Sequence, residues 1–208
     1  MITITNFFVA ITCLISILAF NNREMFAKLQ FNPYQVYHRK EYFRLLSHGF
    51  IHADWMHLIV NMFVLYSFGN VVESYFKQLE AMGVIHFPIL YFTFLYLAAI
   101  VIASLTTLIK YKDNIMYNSV GASGGVSAIL FCSIFFAPYN PIGLYFVIKI
   151  PGIIFGILYL VYSQYMSKKN VDNVNHDAHF IGAVFGFIFP LIIKFSLIHV
   201  FIDQLFSH

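Results

Sequence analysis

Residues 118–137 read NSVGASGGVSAILFCSIFFA, an apolar segment with three glycines near its start. Its length of about 20 residues is enough for a helix to cross a lipid bilayer. Pro138 and Pro141 follow at once, and proline ends helices because it lacks the backbone N–H donor. The segment therefore predicts a transmembrane helix over about residues 118–137, with the glycine-rich run from Gly121 to Gly125 near its start.

The composition around this segment is that of a membrane protein. The chain has 208 residues, of which 60% are hydrophobic and 10% charged, whereas an ordinary soluble domain carries about 25% charged residues. A soluble enzyme and a disordered chain are thereby excluded. The net charge of +3 is too small and too scattered for a nucleic-acid binder. Cys13 and Cys132 lie in apolar runs and are predicted to be buried thiols.

Five further apolar runs accompany the first, so the chain is predicted to be one all-α membrane domain over residues 1–208. The six predicted spans are residues 2–20, 55–76, 86–109, 118–137, 142–166 and 178–201. Residues 2–20 are predicted to be a retained helix, because a signal peptide would begin with basic residues and none precedes Arg23. Residues 21–54 are mixed polar and aromatic, and we expect short helices lying in the membrane interface.

Polar side chains inside these spans are costly in a bilayer, which makes each a candidate functional group. His57 and Asn61 are four residues apart and therefore share one face of the second span. They point either to a hydrated site in the bundle or to hydrogen bonds that join helices. The pair alone does not decide between the two.

Ser123 lies within Gly121-Ala122-Ser123-Gly124-Gly125, near the N-terminus of the fourth span. Free backbone N–H groups and the positive end of the helix dipole would be close to this hydroxyl. Such a setting suits a nucleophile whose reaction develops an oxyanion. The alternative is a small-residue surface for helix packing.

His179 precedes Gly182 by three residues and Gly186 by seven, so all three share one face of the sixth span. We expect this glycine face to contact the glycine-rich start of the fourth span and to bring His179 to Ser123. Serine with a histidine base is the minimal nucleophilic pair. Asp177 is two residues from His179 and would face elsewhere, so no third member is invoked.

Zinc binding is conceivable at His48, His52 and His57, with Asp54 between them. Histidines four residues apart can chelate a metal ion, but the HExxH motif of zinc hydrolases is absent. No metal site is predicted.

Taken in order, three motifs resemble the rhomboid family of intramembrane serine proteases. They are His57-x-x-x-Asn61, Gly121-x-Ser123-Gly124, and Ala178-His179-x-x-Gly182-x-x-x-Gly186. Arg44, the histidines that follow it and Glu73 also resemble the family's first loop and the helix after it. Each motif is weak alone, whereas the ordered set is specific and covers about residues 36–190.

The resemblance implies a six-helix bundle with a membrane-embedded first loop and a Ser123–His179 dyad. Ser123 would be the nucleophile and His179 the general base and acid, with Asn61, His57 and the Ser123 backbone N–H as the oxyanion hole. Structural support would come from Gly121, Gly124, Gly182, Gly186, Arg44 and Glu73.

The substrates would be single-span membrane proteins, cut within or next to their transmembrane segment. No metal, nucleotide or other cofactor is implied. The fifth span and residues 167–177 would act as gate and cap.

The sequence departs from the family pattern at two positions. Phe43 precedes Arg44 where many members have tryptophan, and Ser127 stands where many have a tyrosine that stacks on the catalytic histidine. Another group must then support the His179 ring.

Two features of the sequence predict opposite orientations in the membrane. Basic residues cluster in the loops after odd-numbered spans, and the positive-inside rule would put residues 21–54 in the cytoplasm. The family resemblance implies that this loop is outside, and we adopt that orientation.

Two other functions stay open as alternatives: a catalytically inactive relative that binds or escorts membrane proteins, and a small transporter. An inactive relative would usually lack the serine or the histidine, and a transporter would show paired half-repeats, which the sequence lacks. The compact chain suggests a bacterial cytoplasmic membrane. Neither the natural substrate nor the oligomeric state is encoded in a recognisable pattern.

Overall fold

A computed structural model describes residues 3–144, 148–169 and 174–206. Over these residues the chain is an all-α bundle with one small β-hairpin. The helices are α1 (Ile4–Phe20), α2 (Arg23–Leu29), α3 (Pro33–Arg39), α4 (Arg44–Ser47), α5 (Trp55–Ala81), α6 (Pro88–Tyr111), α7 (Ser123–Phe136), α8 (Gly152–Lys169), α9 (His176–Ile193) and α10 (Ile198–Phe206). Short 3₁₀ turns lie at His48–Phe50 and Phe195–Leu197.

Helix α7 is the centre of the bundle. Every residue from Gly124 to Phe136 is buried, and α5, α6, α8 and α9 all contact this helix. With 14 residues it is about 21 Å long, shorter than the ~30 Å apolar layer of a bilayer. Residues 112–122, which connect α6 to α7, are irregular and reach into the bundle to the point where α7 begins.

The start of α7 lies well inside the ends of its neighbours. A Cβ on Gly124 would lie 2.6 Å from the Cβ of Ala103, eight residues before α6 ends at Tyr111. At 1.5 Å per residue this is a depth of about 12 Å. Ser123 is thus held below the end of the bundle rather than at its rim.

Among the described residues, three helices are long and apolar enough to cross a membrane: Trp55–Ala81, Pro88–Tyr111 and His176–Ile193. Shorter apolar helices are Ile4–Phe20, Ser123–Phe136 and Phe195–Phe206. Large apolar side chains such as Ile59, Phe63, Leu90, Phe94 and Ile157 are exposed on the outside of the bundle. Apolar surface of this extent is typical of contact with lipid, and it agrees with an all-α polytopic membrane protein.

Besides α5, which runs five residues past the predicted end at 76, three predicted spans differ from the observed helices by more than three residues. In the predicted span 142–166, an antiparallel hairpin of Pro141–Leu144 and Ile148–Pro151 comes first, and the helix starts only at Gly152. Prolines at both ends of this hairpin disfavour helix there. In the predicted span 118–137, the helix begins only at Ser123.

The third difference concerns the predicted span 178–201. Its helix α9 ends at Ile193, and Lys194 is extended before the separate helix α10. Pro190 lies in the last turn of α9, where its missing N–H weakens the helix. Of the two cysteines, Cys132 is buried as predicted, whereas Cys13 is half-buried.

Residues 21–54 form short helices, as predicted, and are tied together by buried polar contacts. The Arg44 guanidinium is buried. Its Nε donates to Glu41 Oε2 at 2.6 Å, and its Nη1 donates to the carbonyl oxygens of Ala27 and Gln30 at 2.9 and 2.8 Å. One side chain therefore fixes α2 and the chain after it against α4.

Glu73 joins α1 to α5. Its carboxylate is buried and accepts hydrogen bonds from the Thr5 hydroxyl at 3.1 Å and the Thr5 backbone N–H at 3.3 Å. Lys77 Nζ lies 3.0 Å from the other carboxylate oxygen. The carboxylate is thus paired and hydrogen-bonded, as a charge in the interior must be.

Candidate active site

Ser123 is the first residue of α7 and is half-buried. Gly121, two residues earlier, has a φ of +116°, a conformation that is open to glycine but rare for other residues. The chain turns at this glycine so that Ser123 starts the helix. The hydroxyl is therefore at the positive end of the helix, next to backbone N–H groups that no preceding turn can satisfy.

Helices α7 and α9 are in direct backbone contact through small residues. A Cβ on Gly182 would collide with the carbonyl oxygen of Gly124, and one on Gly186 would collide with the carbonyl oxygen of Ala128. His179 lies on the first turn of α9, one turn before Gly182. The first turns of α7 and α9 thus lie together, in the arrangement that the glycine spacing predicts.

His57 and Asn61 lie on the first two turns of α5, beside this junction. A Cβ on Gly121 would be 2.8 Å from His57 Nε2, so the imidazole rests against the turn before Ser123. Asn61 is buried, and its Nδ2 donates to the His57 carbonyl at 2.9 Å. The Asp54 side chain accepts the His57 backbone N–H at 2.8 Å and caps the helix. His57 therefore contacts the turn before Ser123, and Asn61 is buried one turn further along the same helix face.

A cavity of about 20 Å³ lies beside Ser123. Its lining includes the polar residues His48, Ser104 and Asn175, together with Ser123 itself. This volume holds about one water molecule, and the polar lining would satisfy it.

His52 connects α1 to the residue before Ser123. Its Nε2 accepts the Ala122 backbone N–H at 3.4 Å, so Nδ1 carries the proton and donates to Ser16 Oγ at 3.0 Å. The Ser16 hydroxyl in turn donates to the Phe50 carbonyl. Burial, with a smaller contribution from His57, lowers the pKa of His52 to about 3. The ring is therefore neutral and keeps its acceptor nitrogen.

His48 performs a similar role one turn earlier. Its Nδ1 donates to the Arg44 carbonyl at 2.9 Å, and its Nε2 lies 3.2 Å from Ser104 Oγ. Burial lowers the pKa of His48 to about 4. Its own backbone carbonyl accepts the Gly121 N–H at 2.9 Å. His48 and His52, which lie between α4 and α5, thus fix the turn that precedes Ser123.

The same turn is held by a short strap between residues 31–32 and 115–119. Phe31 and Ser119 exchange two backbone hydrogen bonds of 3.0 Å. The Asn32 side chain donates to the carbonyl oxygens of Ile115 and Tyr117 at 2.9 and 3.1 Å. The sequence does not indicate this pairing, because it joins segments more than 80 positions apart.

The start of α9 is held by its cap. The Asn175 side chain accepts the Ala178 N–H at 3.1 Å and donates to Thr107 Oγ1 on α6 at 2.8 Å. The Asp177 carboxylate contacts Lys110 Nζ at 3.4 Å and the Ser167 hydroxyl. Residues 167–177 are predicted to cover the site, and of these residues 170–173 lie outside the described residues.

The His179 ring stacks on Tyr159 of α8, with ring centroids 6.3 Å apart and an interplanar angle of 19°. The Tyr159 hydroxyl is 2.7 Å from Ser127 Oγ. The sequence indicated that some group must replace a tyrosine at position 127. It could not select Tyr159 among the three tyrosines of α8, because only packing decides which one faces His179.

The histidines weighed as zinc ligands are engaged by the contacts above. Within residues 3–144, 148–169 and 174–206, the structure contains no group of three histidine, cysteine or acidic side chains that could hold a metal ion.

Comparison with known proteins agrees with the motifs. The sequence model of the Rhomboid domain matches residues 39–195. The RHOMBOID-like protein 12, mitochondrial, of Arabidopsis thaliana is 28% identical over 145 residues, which are 67% of this chain and 43% of that protein. The chain thus spans less than half the length of this relative. Because the matched domain covers most of the bundle and contains every motif residue, the chain belongs to the rhomboid family, as an integral membrane protein.

Proposed function

We propose that this protein is a serine endopeptidase that cleaves single-span membrane proteins within or next to their transmembrane segment. The observation that carries the proposal is the backbone contact between Gly124 and Gly182. It joins the first turn of α7, where Ser123 begins the helix, to α9 one turn after His179. A hydroxyl at a helix N-terminus and an imidazole on the adjoining helix form a nucleophile and its base.

In this mechanism Ser123 Oγ attacks the scissile carbonyl carbon while His179 takes the hydroxyl proton. The tetrahedral intermediate collapses when His179 gives that proton to the leaving amine, and the C-terminal fragment departs with this amine as its new N-terminus. Water then attacks the acyl-serine by the same route, and the serine is regenerated. The dyad needs no acidic partner, and the Asp177 carboxylate has Lys110 and Ser167 as partners.

The oxyanion would be stabilised by the Ser123 backbone N–H, Asn61 and His57. An asparagine amide has two N–H donors, and the Asn61 hydrogen bond to the His57 carbonyl uses one of them. The second is available for a substrate oxygen. Donors that are fixed before the reaction are worth more than donors that must reorganise.

The depth of Ser123 supports a substrate that enters from the bilayer. A transmembrane helix hides its carbonyl groups in its own hydrogen bonds, so the substrate must unwind locally before Ser123 can reach one. Glycine and proline destabilise helices by about 1 and 3 kcal/mol. We therefore expect preferred substrates to have such residues at or near the cleaved bond.

Cleavage of a labelled single-span substrate in liposomes tests the proposal. Ser123→Ala should lower the rate at least about 10³-fold, because the nucleophile is removed. Ser133→Ala is the matched control, since Ser133 is buried on the same helix and its hydroxyl donates to the Leu130 carbonyl. That variant should cleave at nearly the wild-type rate, and mass spectrometry of the products locates the cut.

A serine-reactive fluorophosphonate probe makes the test independent of the substrate. Wild type and Ser133→Ala should be labelled at Ser123, and Ser123→Ala should not. Failure to label folded wild-type protein, together with failure to cleave, would indicate an inactive member of the family that binds membrane proteins.

A further inference from the structure

We propose that Tyr159 of α8 is a positioning residue for His179, and that the seating of α8 against α7 and α9 thereby controls the alignment of the dyad. This inference rests on the proposed function, because it assigns His179 the role of base. Its basis is a set of ring and hydroxyl contacts that joins three helices.

The first contact is the stack of Tyr159 on His179. The centroid separation of 6.3 Å and the angle of 19° lie within the range of offset-stacked aromatic pairs, about 4.5–7 Å. An imidazole has free rotation about two side-chain bonds. A ring packed in parallel against the imidazole restricts this rotation and favours one orientation of the ring nitrogens.

The second contact fixes the tyrosine itself. Its hydroxyl is 2.7 Å from Ser127 Oγ, and Ser127 lies one turn after Ser123 on α7. The tyrosine is therefore anchored on the helix of the nucleophile while its ring supports the base on α9. A buried serine at position 127 fits this role, because its small side chain leaves room for a ring that comes from α8.

The third contact involves His176, which is also on the first turn of α9. The rings of His176 and His179 meet edge to face, with centroids 5.8 Å apart and an angle of 74°. Tyr162, also from α8, meets His176 at 5.6 Å and 83°. Two tyrosines of α8 thus contact two histidines on the first turn of α9, so a displacement of α8 would disturb this turn directly.

An apolar groove of about 260 Å³ runs along α8 where it faces α7 and α9. Its lining includes Ile153, Gly156 and Leu160, together with the exposed Ile157 and Ile188. Fewer dispersion contacts join the helices along such a groove than along a closely packed interface. The ring contacts of Tyr159 and Tyr162 with the first turn of α9 are therefore among those that hold α8 in place. If α8 moves outward, Tyr159 leaves His179 and the dyad loses its support.

The test compares Tyr159→Leu with Tyr165→Leu in liposomes, with the fluorophosphonate probe and the labelled substrate. Tyr165 is the matched control because it is a tyrosine on the same helix but is exposed, with Lys169 over its ring. We expect Tyr159→Leu to lower kcat and the labelling rate about 10- to 100-fold with KM nearly unchanged, since a misaligned base slows chemistry and not binding. Tyr165→Leu should change neither.

Two further variants separate positioning from general stability. Tyr159→Phe keeps the ring and loses the hydroxyl, so kcat should fall less than about fivefold. The double variant Ser127→Tyr with Tyr159→Leu supplies a ring from α7 and should recover part of the lost kcat. If Tyr159→Leu does not fold, Tyr159→Met takes its place, with the same expected loss.

NMR of histidine-labelled protein in micelles gives a readout that does not depend on activity. Stacking on Tyr159 should shift the His179 ring protons upfield, and the shift should persist in Tyr159→Phe and disappear in Tyr159→Leu or Tyr159→Met. An unchanged His179 signal, or a kcat loss in Tyr159→Leu no larger than in Tyr165→Leu, overturns the inference. A wild type that is folded but neither cleaves nor labels would instead overturn the proposed function.

Discussion

Asn61 and Asn70 lie on the same helix, α5, and each donates its side-chain amide to the backbone carbonyl four residues earlier, at 2.9 and 2.6 Å. Only Asn61 is buried beside the turn that precedes Ser123. If Asn61 is an oxyanion donor, Asn61→Ala should lower kcat about 10²–10³-fold with little effect on KM. Steady-state cleavage kinetics measure this.

Asn70→Ala is the control, because it removes the same type of intrahelical hydrogen bond away from the site. Equal rates for the two alanine variants would remove Asn61 from the oxyanion hole.

His52 makes the stability of the protein dependent on pH. Its pKa is about 3 in the folded protein and about 6.5 in an unfolded chain. Between these values the unfolded chain binds more protons, so the free energy of unfolding decreases as the pH falls from 6.5. The stabilising contribution is thus complete above pH 6.5 and is lost progressively in acid.

The measurement is the Tm of wild type and His52→Gln in detergent from pH 7 to pH 4. A glutamine oxygen can still accept the Ala122 N–H but does not titrate. The Tm of the variant should therefore fall less steeply with decreasing pH than the Tm of wild type, by about 3–5 °C per pH unit. His86→Gln replaces an exposed histidine and should leave the slope of Tm against pH as it is in wild type. Parallel slopes for all three proteins would mean that His52 does not titrate on unfolding.

Much of the candidate site is predictable at the residue level, because its motifs are short and local. The i, i+4 spacing of His57 and Asn61 and the i, i+3 spacing of His179 and Gly182 identify faces of single helices. His52 is different: the sequence shows it among other histidines without the HExxH motif of a zinc hydrolase, and it does not indicate what the side chain contacts. Its actual partners, Ser16 and the Ala122 N–H, come from distant segments that meet only after folding.

At the scale of elements, the contact of α9 with α7 depends on glycine at two positions one turn apart. Gly182→Ala would drive a methyl group into the Gly124 carbonyl, and backbone cannot yield as a side-chain tip can. We expect a loss of about 1–3 kcal/mol in the free energy of unfolding, and a lower rate of Ser123 labelling because α9 moves away with His179.

Gly156→Ala is the comparison, since Gly156 is also a helical glycine. Its added Cβ would meet the Phe131 ring at 3.3 Å, a contact that a small shift can relieve. Alanine also has the higher helix propensity, by up to about 1 kcal/mol. Thermal unfolding of the two variants should rank Gly182→Ala well below Gly156→Ala. The reverse order would show that α7 and α9 tolerate a wider separation.

Helix types were predictable from apolar runs, whereas their boundaries were not. Residues 142–151 are apolar enough for a span, but backbone pairing between Ile142 and Ile150 forms a hairpin there. Periodicity cannot distinguish a short buried strand from the first turns of a helix. Likewise, the apolar run through residue 201 conceals the break at Lys194, where α9 gives way to α10.

At the scale of the whole molecule, the contacts define two ends of the bundle. Residues 21–54, residues 112–122 and the start of α9 lie at the end that holds Ser123. Thr5 contacts Glu73 and Leu205 contacts Tyr139, so α1 begins and α10 ends at the opposite end. The β-hairpin lies there as well.

The site end carries nine of the 12 basic residues, Arg23, Lys28, Arg39, Lys40, Arg44, Lys110, Lys112, Lys168 and Lys169. A count alone would place this end in the cytoplasm. Several of these charges are, however, engaged within the fold. Arg44 is buried against Glu41, Lys110 pairs with Asp177, and Lys40 and Lys112 both lie over the Tyr37 ring. The positive-inside rule describes free basic residues in short loops, and this loop is folded. We therefore expect the site end to face outward.

Single cysteines at the two ends decide the orientation. In a Cys13→Ser and Cys132→Ser background, Met116→Cys reports on the site end and Met82→Cys on the other, and the native methionines are 81% and 73% exposed. In spheroplasts of a bacterial expression host, a membrane-impermeant maleimide should label Met116→Cys directly and Met82→Cys only after permeabilisation. The opposite pattern would mean that the basic residues set the topology, and that Ser123 is reached from the cytoplasmic side.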